Sequence, residues 1–154
     1  MHLKSSHEIE KIRASCRIAA DAMACVARMI APGVTTAALD EAADVYIRSQ
    51  GAVASALNYR GYPRSICASI NEEVVHGIPG SRQLVAGDIV SIDIAVKNAG
   101  YHGDMNVSFA VGDIAAEAAR LLDTTKGALE IGLQCSEAVT RLGDIGHRIR
   151  SEEH

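Results

Sequence analysis

Apolar residues recur every three or four positions in the first part of the chain, which is the spacing of one face of an α-helix. The capping box formed by Ser5 and Glu8 predicts where this helix begins, and Pro32-Gly33 predicts where it ends. The expected apolar face consists of Ile9, Ile12, Cys16, Ala19, Met23, Val26 and Ile30. The first predicted element is therefore a long amphipathic helix.

Three further helices are expected from the same periodicity. A cap at Thr35-Thr36 predicts a second helix through about Gln50, with Gly51 suited to its C-terminal end. Its inward positions are Leu39, Ala43 and Ile47. Asp113 is expected to cap a third long helix. The apolar residues of that helix are Ile114, Ala118, Leu121, Leu122 and Leu129. After Val139-Thr140 the pattern points to a fourth helix.

Alternation of apolar and polar residues predicts strands in the middle of the chain. A short strand is expected over residues 65–70, followed by a loop over residues 71–82. Two longer strands, 89–97 and 101–111, flank Asn98-Ala99-Gly100, which is typical of a hairpin turn. The order of helix, helix, strands and helix, with an antiparallel hairpin, predicts an α+β fold.

The register of the hairpin can be predicted by matching its apolar faces. A two-residue turn at Asn98-Ala99 would pair Ile92 with Met105 and would place Asp93 directly opposite Asp104. A one-residue slip would mix the buried and exposed faces, whereas any even shift keeps both aspartates on one face. Both carboxylates are therefore expected on the polar face of the hairpin.

Two facing carboxylates repel each other unless a shared proton, a basic side chain or a cation relieves the repulsion. The basic residue expected on that face is His102, two positions before Asp104. One interpretation is therefore a divalent metal, or a pair of metals, held by Asp93 and Asp104. The other interpretation is structural, with one aspartate exposed near the turn and solvated. The hairpin by itself leaves both open.

Composition excludes several classes of function. The 154-residue chain has a net charge of -4, no Trp, one Phe and four Tyr, which argues against nucleic-acid binding. No apolar run approaches the roughly 20 residues of a membrane span, and no signal-peptide core follows Met1. The four cysteines form no C-x-x-C motif. A cytoplasmic protein with reduced thiols and no membrane partner is therefore expected.

Five segments in the middle of the chain form a characteristic series of motifs. They are Asn58 to Cys67, Ser69 to Glu72, His76-Gly77-Ile78-Pro79, Gly87 to Asp93 and Gly100 to Asp104. In order and spacing they resemble the N-terminal half of type I methionine aminopeptidases. The resemblance extends from about Glu8 to about Ile149. It implies the pita-bread (creatinase/aminopeptidase-like) α+β fold, of which this chain would hold the first half plus the start of the second.

The resemblance also implies roles for individual residues. Asp93 and Asp104 match metal-binding aspartates, and His76 matches a histidine that contacts the substrate amide and assists proton transfer. The positions that match the lining of the methionine side-chain pocket are Tyr59, Tyr62 and Cys67. Taken without the resemblance, the histidine could cap a turn, the tyrosines could anchor a loop, and the cysteine could fill the core.

The activity implied by the resemblance is removal of the initiator methionine, with two divalent ions (Mn, Fe or Co) in the complete enzyme. The implied partner is the N-terminal Met of nascent polypeptides, with ribosome association as a further option and a monomeric complete enzyme. The family completes its metal site with one histidine and two glutamates from the second half. Residues 1–149 are therefore interpreted as an incomplete catalytic domain, inactive alone and able to self-associate through an uncovered apolar face.

Residues 150–154 are interpreted as a non-native tail, because their codons would match a common sequencing-adapter read. The alternative is a natural tail, since ends rich in Glu and Arg are ordinary. Smaller departures from the family are Met105, where Thr or Ser is usual, and Ala56, where some members have a pocket cysteine. Three alternatives stay open. The chain could be a non-catalytic binding module derived from the pita-bread fold, a prolidase-type metallopeptidase, or a homodimer in which two half-sites meet.

Overall fold

The computed structural model of the protein describes residues 3–138 and 141–153, so the expected passage through Val139-Thr140 lies outside the described residues. Two compact units are present, Met1–Asp113 and Ile114–His154. The first contains α1 (Ser6–Ala27), α2 (Thr36–Ser49), β1 (Val53–Ala54), a 3₁₀ turn (Tyr59–Gly61), β2 (Cys67–Ile70), β3 (Ile89–Asn98) and β4 (Tyr101–Ala110). The second contains α3 (Ala116–Ala138) and α4 (Leu142–Glu153). This composition confirms the α+β prediction.

The first helix begins as predicted but buries a different set of residues. Ser5 and Glu8 form the capping box, with the Ser5 backbone N–H donating to Glu8 Oε2 at 2.7 Å. The buried residues are Ser15, Ala19, Ala22, Met23 and Val26. The prediction was wrong for Ile9 and Cys16, which are exposed. Burial of Ser15 instead follows from its hydrogen bonds to the hairpin, described below.

The second helix matches its predicted bounds and inward face. Thr35 caps it by accepting a hydrogen bond from the Ala38 N–H at 3.2 Å, and Gly51 follows its end with φ +69°. The fully buried apolar residues are Leu39, Ala43 and Ile47. Two carboxylates of the same helix, Asp40 and Asp44, are also buried, which the apolar pattern did not indicate.

All four strands form one antiparallel sheet centred on β3. One edge of β3 pairs with β4, and its other edge pairs with β1 and β2. Strand β2 starts at Cys67, two residues later than predicted, and the two-residue strand β1 was not predicted. The fully buried residues of β3 are Val90, Ile92, Ile94 and Val96. They pack with the apolar residues of α1 and α2 in one hydrophobic core.

The predicted hairpin register was wrong by two residues. Ala99 and Gly100 form the turn, Asn98 pairs with Tyr101, and Asp93 lies opposite Asn106. Asp104 is paired with Ala95 and is therefore diagonal to Asp93, not directly opposite. The turn residues have φ angles of +49° and +85°, as a type I′ turn requires, and glycine adopts the second of these without steric cost. Because the shift is even, both aspartates stay on one face.

Helix α1 lies directly against the hairpin. The Ser15 hydroxyl donates to the Tyr101 carbonyl at 2.9 Å and lies 3.4 Å from the Asn98 carbonyl. A Cβ atom added to Gly103 would overlap the backbone of α1, 2.6 Å from Cys16 Cα. The absence of a side chain at Gly103 is therefore what allows the helix and β4 to approach so closely.

The second unit is a pair of helices. Helix α3 begins at Ala116, so the prediction that Asp113 caps it was wrong. Gly132 of α3 faces Ile149 of α4, since an added Cβ would lie 3.1 Å from Ile149 Cδ1. Two residues of the predicted apolar face of α3, Leu121 and Leu129, are exposed. The fourth helix was predicted and is confirmed; because it continues through Glu153, the proposed boundary after residue 149 stays a prediction.

Across the described ranges, none of the helices is both long and apolar enough to cross a membrane.

Candidate active site

The polar face of the β3–β4 hairpin lines an open cleft of about 800 Å³. All six residues singled out from the sequence contribute to it, although they come from four separate segments of the chain. They are Tyr59, Tyr62, Cys67, His76, Asp93 and Asp104. The remaining lining residues are Ser55, Ala56, Arg60, Gly61, Pro63, Ile78, Ala95 and His102. The fold thus brings the predicted site residues together; their chemical roles stay predictions.

The two carboxylates interact directly despite the diagonal register. Asp93 is partly buried and Asp104 is exposed. Burial raises the pKa of Asp93, and the charge of Asp104 and a hydrogen bond to it raise this pKa further. The nearby His76 and a hydrogen bond from Asn106 act in the opposite direction. The pair therefore carries the electrostatic repulsion that a bound cation would relieve.

The donor atoms of this pair fit one side of a divalent metal ion. Carboxylate oxygens are ligands that Mn²⁺ and similar ions accept, and both side chains face the cleft. Within residues 3–138 and 141–153, however, no three His, Cys, Asp or Glu side chains come close enough to share an ion. The described residues therefore offer Asp93 and Asp104 as two ligands of a larger set.

His76 lies on a loop that is anchored to β2 through its neighbour Gly77. The Gly77 N–H donates to Ser69 Oγ at 3.0 Å, and its carbonyl accepts from the Ala68 N–H at 2.9 Å. A Cβ atom at Gly77 would overlap the Ala68 carbonyl, so this contact requires glycine. His76 itself has a φ angle of +59°, which few residues with a side chain adopt. Its position at the cleft is thus imposed by the surrounding contacts.

Tyr62 and Cys67 form a neutral wall of the cleft. Burial raises the pKa of the Tyr62 hydroxyl far above its usual value, with smaller contributions from Cys67 and nearby carboxylates. Burial also raises the pKa of the Cys67 thiol, as do the charges of Asp93 and Asp104, while the neighbouring Tyr62 hydroxyl lowers it. Both groups are therefore uncharged at neutral pH. A phenol and a thiol in this state suit contact with an apolar or thioether side chain.

Tyr59 lies at the rim of the cleft. Its side chain is largely exposed, and the guanidinium of Arg60 lies 5.5 Å from the centre of its ring. Asn58 and Arg60 on either side have positive φ angles, +66° and +50°. The rim therefore consists of a tightly turned segment in which Tyr59 is held between two unusual backbone conformations.

Sequence reasoning missed two features of the site. The first is a contact between Ser55 Oγ and His102 Nδ1 at 2.9 Å, both of which line the cleft. The strand alternation did place His102 on the same face as Asp104, but nothing local indicated Ser55 as its partner. The second is the pair of buried carboxylates Asp40 and Asp44, signalled only by polar residues four positions apart on the inward side of α2.

Comparison with known proteins identifies relatives across nearly the whole chain. Residues 10–152 match the family described as metallopeptidase family M24. The chain is 43% identical over 148 residues to methionine aminopeptidase 1 of Bacillus subtilis, covering 96% of this chain and 60% of that protein. The chain thus spans about 60% of the length of this relative. These matches confirm the resemblance predicted from the motifs.

Comparison with solved structures gives the same result for the fold. The crystal structure of methionine aminopeptidase from Rickettsia prowazekii superposes with a TM-score of 0.93 at 37% identity, covering 99% of this chain and 61% of that one. The Xaa-Pro dipeptidase from Bacillus anthracis superposes with a TM-score of 0.74 at 23% identity, over 84% of this chain and 35% of that one. The second likeness is one of fold alone. Both confirm the pita-bread prediction.

Proposed function

The chain belongs to metallopeptidase family M24, and from this premise we propose that it forms the substrate-binding side of a metal-dependent aminopeptidase that removes the N-terminal methionine of new proteins. The observation that carries the proposal is the cleft in which Asp93 and Asp104 lie beside the neutral wall of Tyr62 and Cys67. Methionine release is proposed for the whole protein, because the chain spans about 60% of the length of its relative from Bacillus subtilis.

Asp93 and Asp104 are proposed to hold divalent ions, two of them in the complete site and of the Mn, Fe or Co type. A divalent ion in this place supplies a Lewis acid for the peptide carbonyl and lowers the pKa of a bound water. The carboxylates themselves are acceptors, and the paired strands of the hairpin hold their backbone positions relative to each other. The repulsion between them favours cation binding over an empty pair.

His76 is proposed to donate a hydrogen bond to the substrate amide and to assist proton transfer there. The anchored Gly77 fixes the backbone of the loop, so the imidazole can be aimed without further ordering of the chain. Tyr62 and Cys67 are proposed to contact the methionine side chain, and Tyr59 to cover it from the rim. An uncharged phenol and thiol favour a thioether over a charged side chain at that position.

The proposed partner is the N-terminal methionine of nascent polypeptides. A cytoplasmic location, an association with the ribosome and a monomeric complete enzyme are proposed with it. A non-catalytic binding module would have no need for two mutually repelling carboxylates in one cleft. A prolidase-type activity would act on Xaa-Pro substrates instead, and peptide selectivity distinguishes it.

Binding measurements on this chain test the proposal. Mn²⁺ binding, followed by electron paramagnetic resonance, is expected in the chain, and Asp93→Asn and Asp104→Asn should each weaken it. With Mn²⁺ present, Met-Ala-Ser should bind about tenfold more tightly than Ala-Ala-Ser, because burying part of a methionine side chain contributes about 1.4 kcal/mol.

The matched control is Asp113→Asn, which removes the same charge from an exposed position outside the cleft. It should leave both affinities unchanged. Equal Mn²⁺ binding in the chain and in Asp104→Asn would contradict the metal assignment. Preference for a Xaa-Pro dipeptide over Met-Ala-Ser would favour the prolidase-type alternative.

A further inference from the structure

A buried carboxylate on α2 holds the backbone that leads into the cleft wall. Asp40 is 6% exposed, and its Oδ1 accepts hydrogen bonds from the Ser65 N–H at 2.8 Å and the Ile66 N–H at 3.0 Å. Cys67, a lining residue, is next in the chain. Among the described residues that line the cleft, none comes from α2. Asp40 is therefore connected to the cleft wall through the segment it binds and does not itself line the cleft.

The same segment is connected through Tyr62 to the loop that carries His76. The Tyr62 hydroxyl lies 3.0 Å from the Ile66 carbonyl and 3.0 Å from the Gly77 carbonyl. A hydroxyl has one proton, so two equidistant carbonyls share it. Gly77 directly follows His76. Hydrogen bonds thus connect Asp40 to the Ile66 N–H, and the carbonyl of the same residue to Tyr62 and on to the backbone beside His76.

Neighbouring charges hold Asp40 in this role. Arg64 Nη1 lies 3.7 Å from the second carboxylate oxygen, Asp40 Oδ2, and balances its charge. One turn further along α2, Asp44 Oδ1 accepts a hydrogen bond from the Ser65 hydroxyl at 2.7 Å and forms an ion pair with Arg48. Two successive turns of α2 therefore hold the same two-residue segment. Loop anchoring for stability alone would need no connection onward to Gly77.

We propose that Asp40 is a positioning residue that sets the relative placement of Tyr62 and His76 across the cleft. This proposal rests on the proposed function, because it assigns those two side chains to substrate binding. Loss of the Asp40 carboxylate releases the Ser65 and Ile66 N–H groups. The Ile66 carbonyl is then less well placed for Tyr62, and the hydrogen bond of the Tyr62 hydroxyl to the Gly77 carbonyl changes, while Gly77 stays bound to Ser69 and Ala68.

The test compares variants of the whole chain that differ in one acceptor oxygen. Asp40→Ala removes the acceptor, whereas Asp40→Asn keeps a carbonyl oxygen that can accept from both N–H groups. Val26→Ala is the control for lost stability, because Val26 is fully buried in the core but takes no part in these hydrogen bonds. Tyr62→Phe removes only the bridging hydroxyl. It tests the same connection if Asp40→Ala does not fold.

Two readouts separate positioning from stability. The first is the His76 ring resonance in a proton–carbon NMR spectrum without metal or peptide, with the ring resonances of His7 and His102 as internal references. The second is the affinity of the Mn²⁺-loaded chain for Met-Ala-Ser. Asp40→Ala and Tyr62→Phe should shift or broaden the His76 resonance, and Asp40→Ala should weaken peptide binding about tenfold, the size of one hydrogen bond to a charged group.

Asp40→Asn should recover most of the wild-type His76 resonance, and Val26→Ala should leave that resonance in place despite a lower melting temperature. An unchanged His76 resonance in Asp40→Ala, or the same change in Val26→Ala, would overturn the proposal. Failure of the wild-type chain to bind Met-Ala-Ser would count against the proposed function only. In that case the His76 ring resonance, measured without metal, still tests whether Asp40 is a positioning residue.

Discussion

Residues with unusual backbone angles mark the places where this protein departs from local preference. In the described ranges, five residues other than glycine have positive φ angles: Asn58, Arg60, Asn71, His76 and Ala99. Such a conformation costs an ordinary residue roughly 1–2 kcal/mol, so the surroundings must enforce it. Arg60 and His76 line the cleft, where the cost is consistent with a site whose geometry is imposed. Ala99, in contrast, lies in the hairpin turn, where another residue type adopts a positive φ angle at lower cost.

Ala99→Asn is expected to stabilise the chain by about 0.5–1 kcal/mol, because asparagine adopts positive φ at lower cost and favours type I′ turns. Urea unfolding should show a higher midpoint with an unchanged slope. The control is Ala31→Asn, at an exposed position without a positive φ angle. A stabilisation of equal size at both positions would argue against the turn as its cause.

Asp88 is expected to make stability depend on pH at the acidic end. Its carboxylate accepts from the Val85 N–H at 2.9 Å and from Asn71 Nδ2 at 2.8 Å. These two hydrogen bonds lower the pKa of Asp88, so the folded state favours the ionised form. The stabilisation is therefore complete above the ordinary aspartate pKa of about 3.9 and is lost as the pH falls through the lower folded value.

Asp88→Asn should destabilise the chain at pH 7 by about 1 kcal/mol, the net value of one lost hydrogen bond. Urea midpoints measured from pH 7 down to pH 3 should show the difference from wild type shrinking below about pH 4. Asp113→Asn, at an exposed position, carries the same change in net charge. A difference that persists unchanged at low pH would show that the side-chain charge is not involved.

At the scale of elements, the hairpin and the two long helices decide where the cleft lies. One face of the hairpin packs in the core with α1, and the other face carries Asp93 and Asp104. Helix α1 approaches β4 closely at Gly103, and Ser15 adds a hydrogen bond to the Tyr101 carbonyl there. Helix α2 contributes the carboxylates that hold the segment before β2. The hairpin therefore carries the site on the face that does not pack against the core, and the two helices support it from outside the cleft.

Gly103→Ala is expected to destabilise the chain by about 3 kcal/mol, since a methyl group there cannot fit without moving α1. Thermal unfolding should show a large fall in melting temperature. Gly80→Ala is the control, because an added Cβ there would meet its nearest atom only at 3.9 Å. Similar losses for both substitutions would show that the cost comes from the backbone and not from the contact with α1.

At the scale of the whole molecule, the cleft belongs entirely to the unit Met1–Asp113. That unit also contains the complete hydrophobic core cluster, which runs from Ala19 to Val111. The cleft therefore rests on a packed support made by the same unit. A ligand that binds the cleft should stabilise this unit in proportion to its affinity.

Mn²⁺ at ten times its dissociation constant should raise the stability of the chain by about 1.4 kcal/mol. Asp104→Asn should reduce this gain at the same Mn²⁺ concentration, yet without metal it should be equal to or more stable than wild type, because it removes the repulsion from Asp93. The measurement is the melting temperature of the wild type and of Asp104→Asn, each with Mn²⁺ and after chelation by EDTA. Loss of stability in metal-free Asp104→Asn would contradict the repulsion, and a Mn²⁺ effect kept by the variant would place the ion elsewhere.

Local pattern was sufficient for most of the elements and for placing the two candidate metal ligands on one face of the hairpin. The helical period located α1 and α2, because each buries one face against a single core. Strand alternation put Asp93 and Asp104 on one face of the hairpin, a result that does not depend on which even register is adopted. Membership of the family also followed from motifs that lie close together in the chain.

The tertiary structure alone decided features that depend on partners far apart in the chain. The hairpin register was one such feature. Turns at Asn98-Ala99 and at Ala99-Gly100 place the same residues on each face of the hairpin, so only the backbone angles of the turn distinguish the two registers. Burial of Ser15 was another, since its partners are carbonyls more than 80 residues away. The burial of Asp40 was a third: an inward carboxylate on a helix is unfavourable until the Ser65 and Ile66 N–H groups, 25 and 26 residues later, are brought to it by the fold.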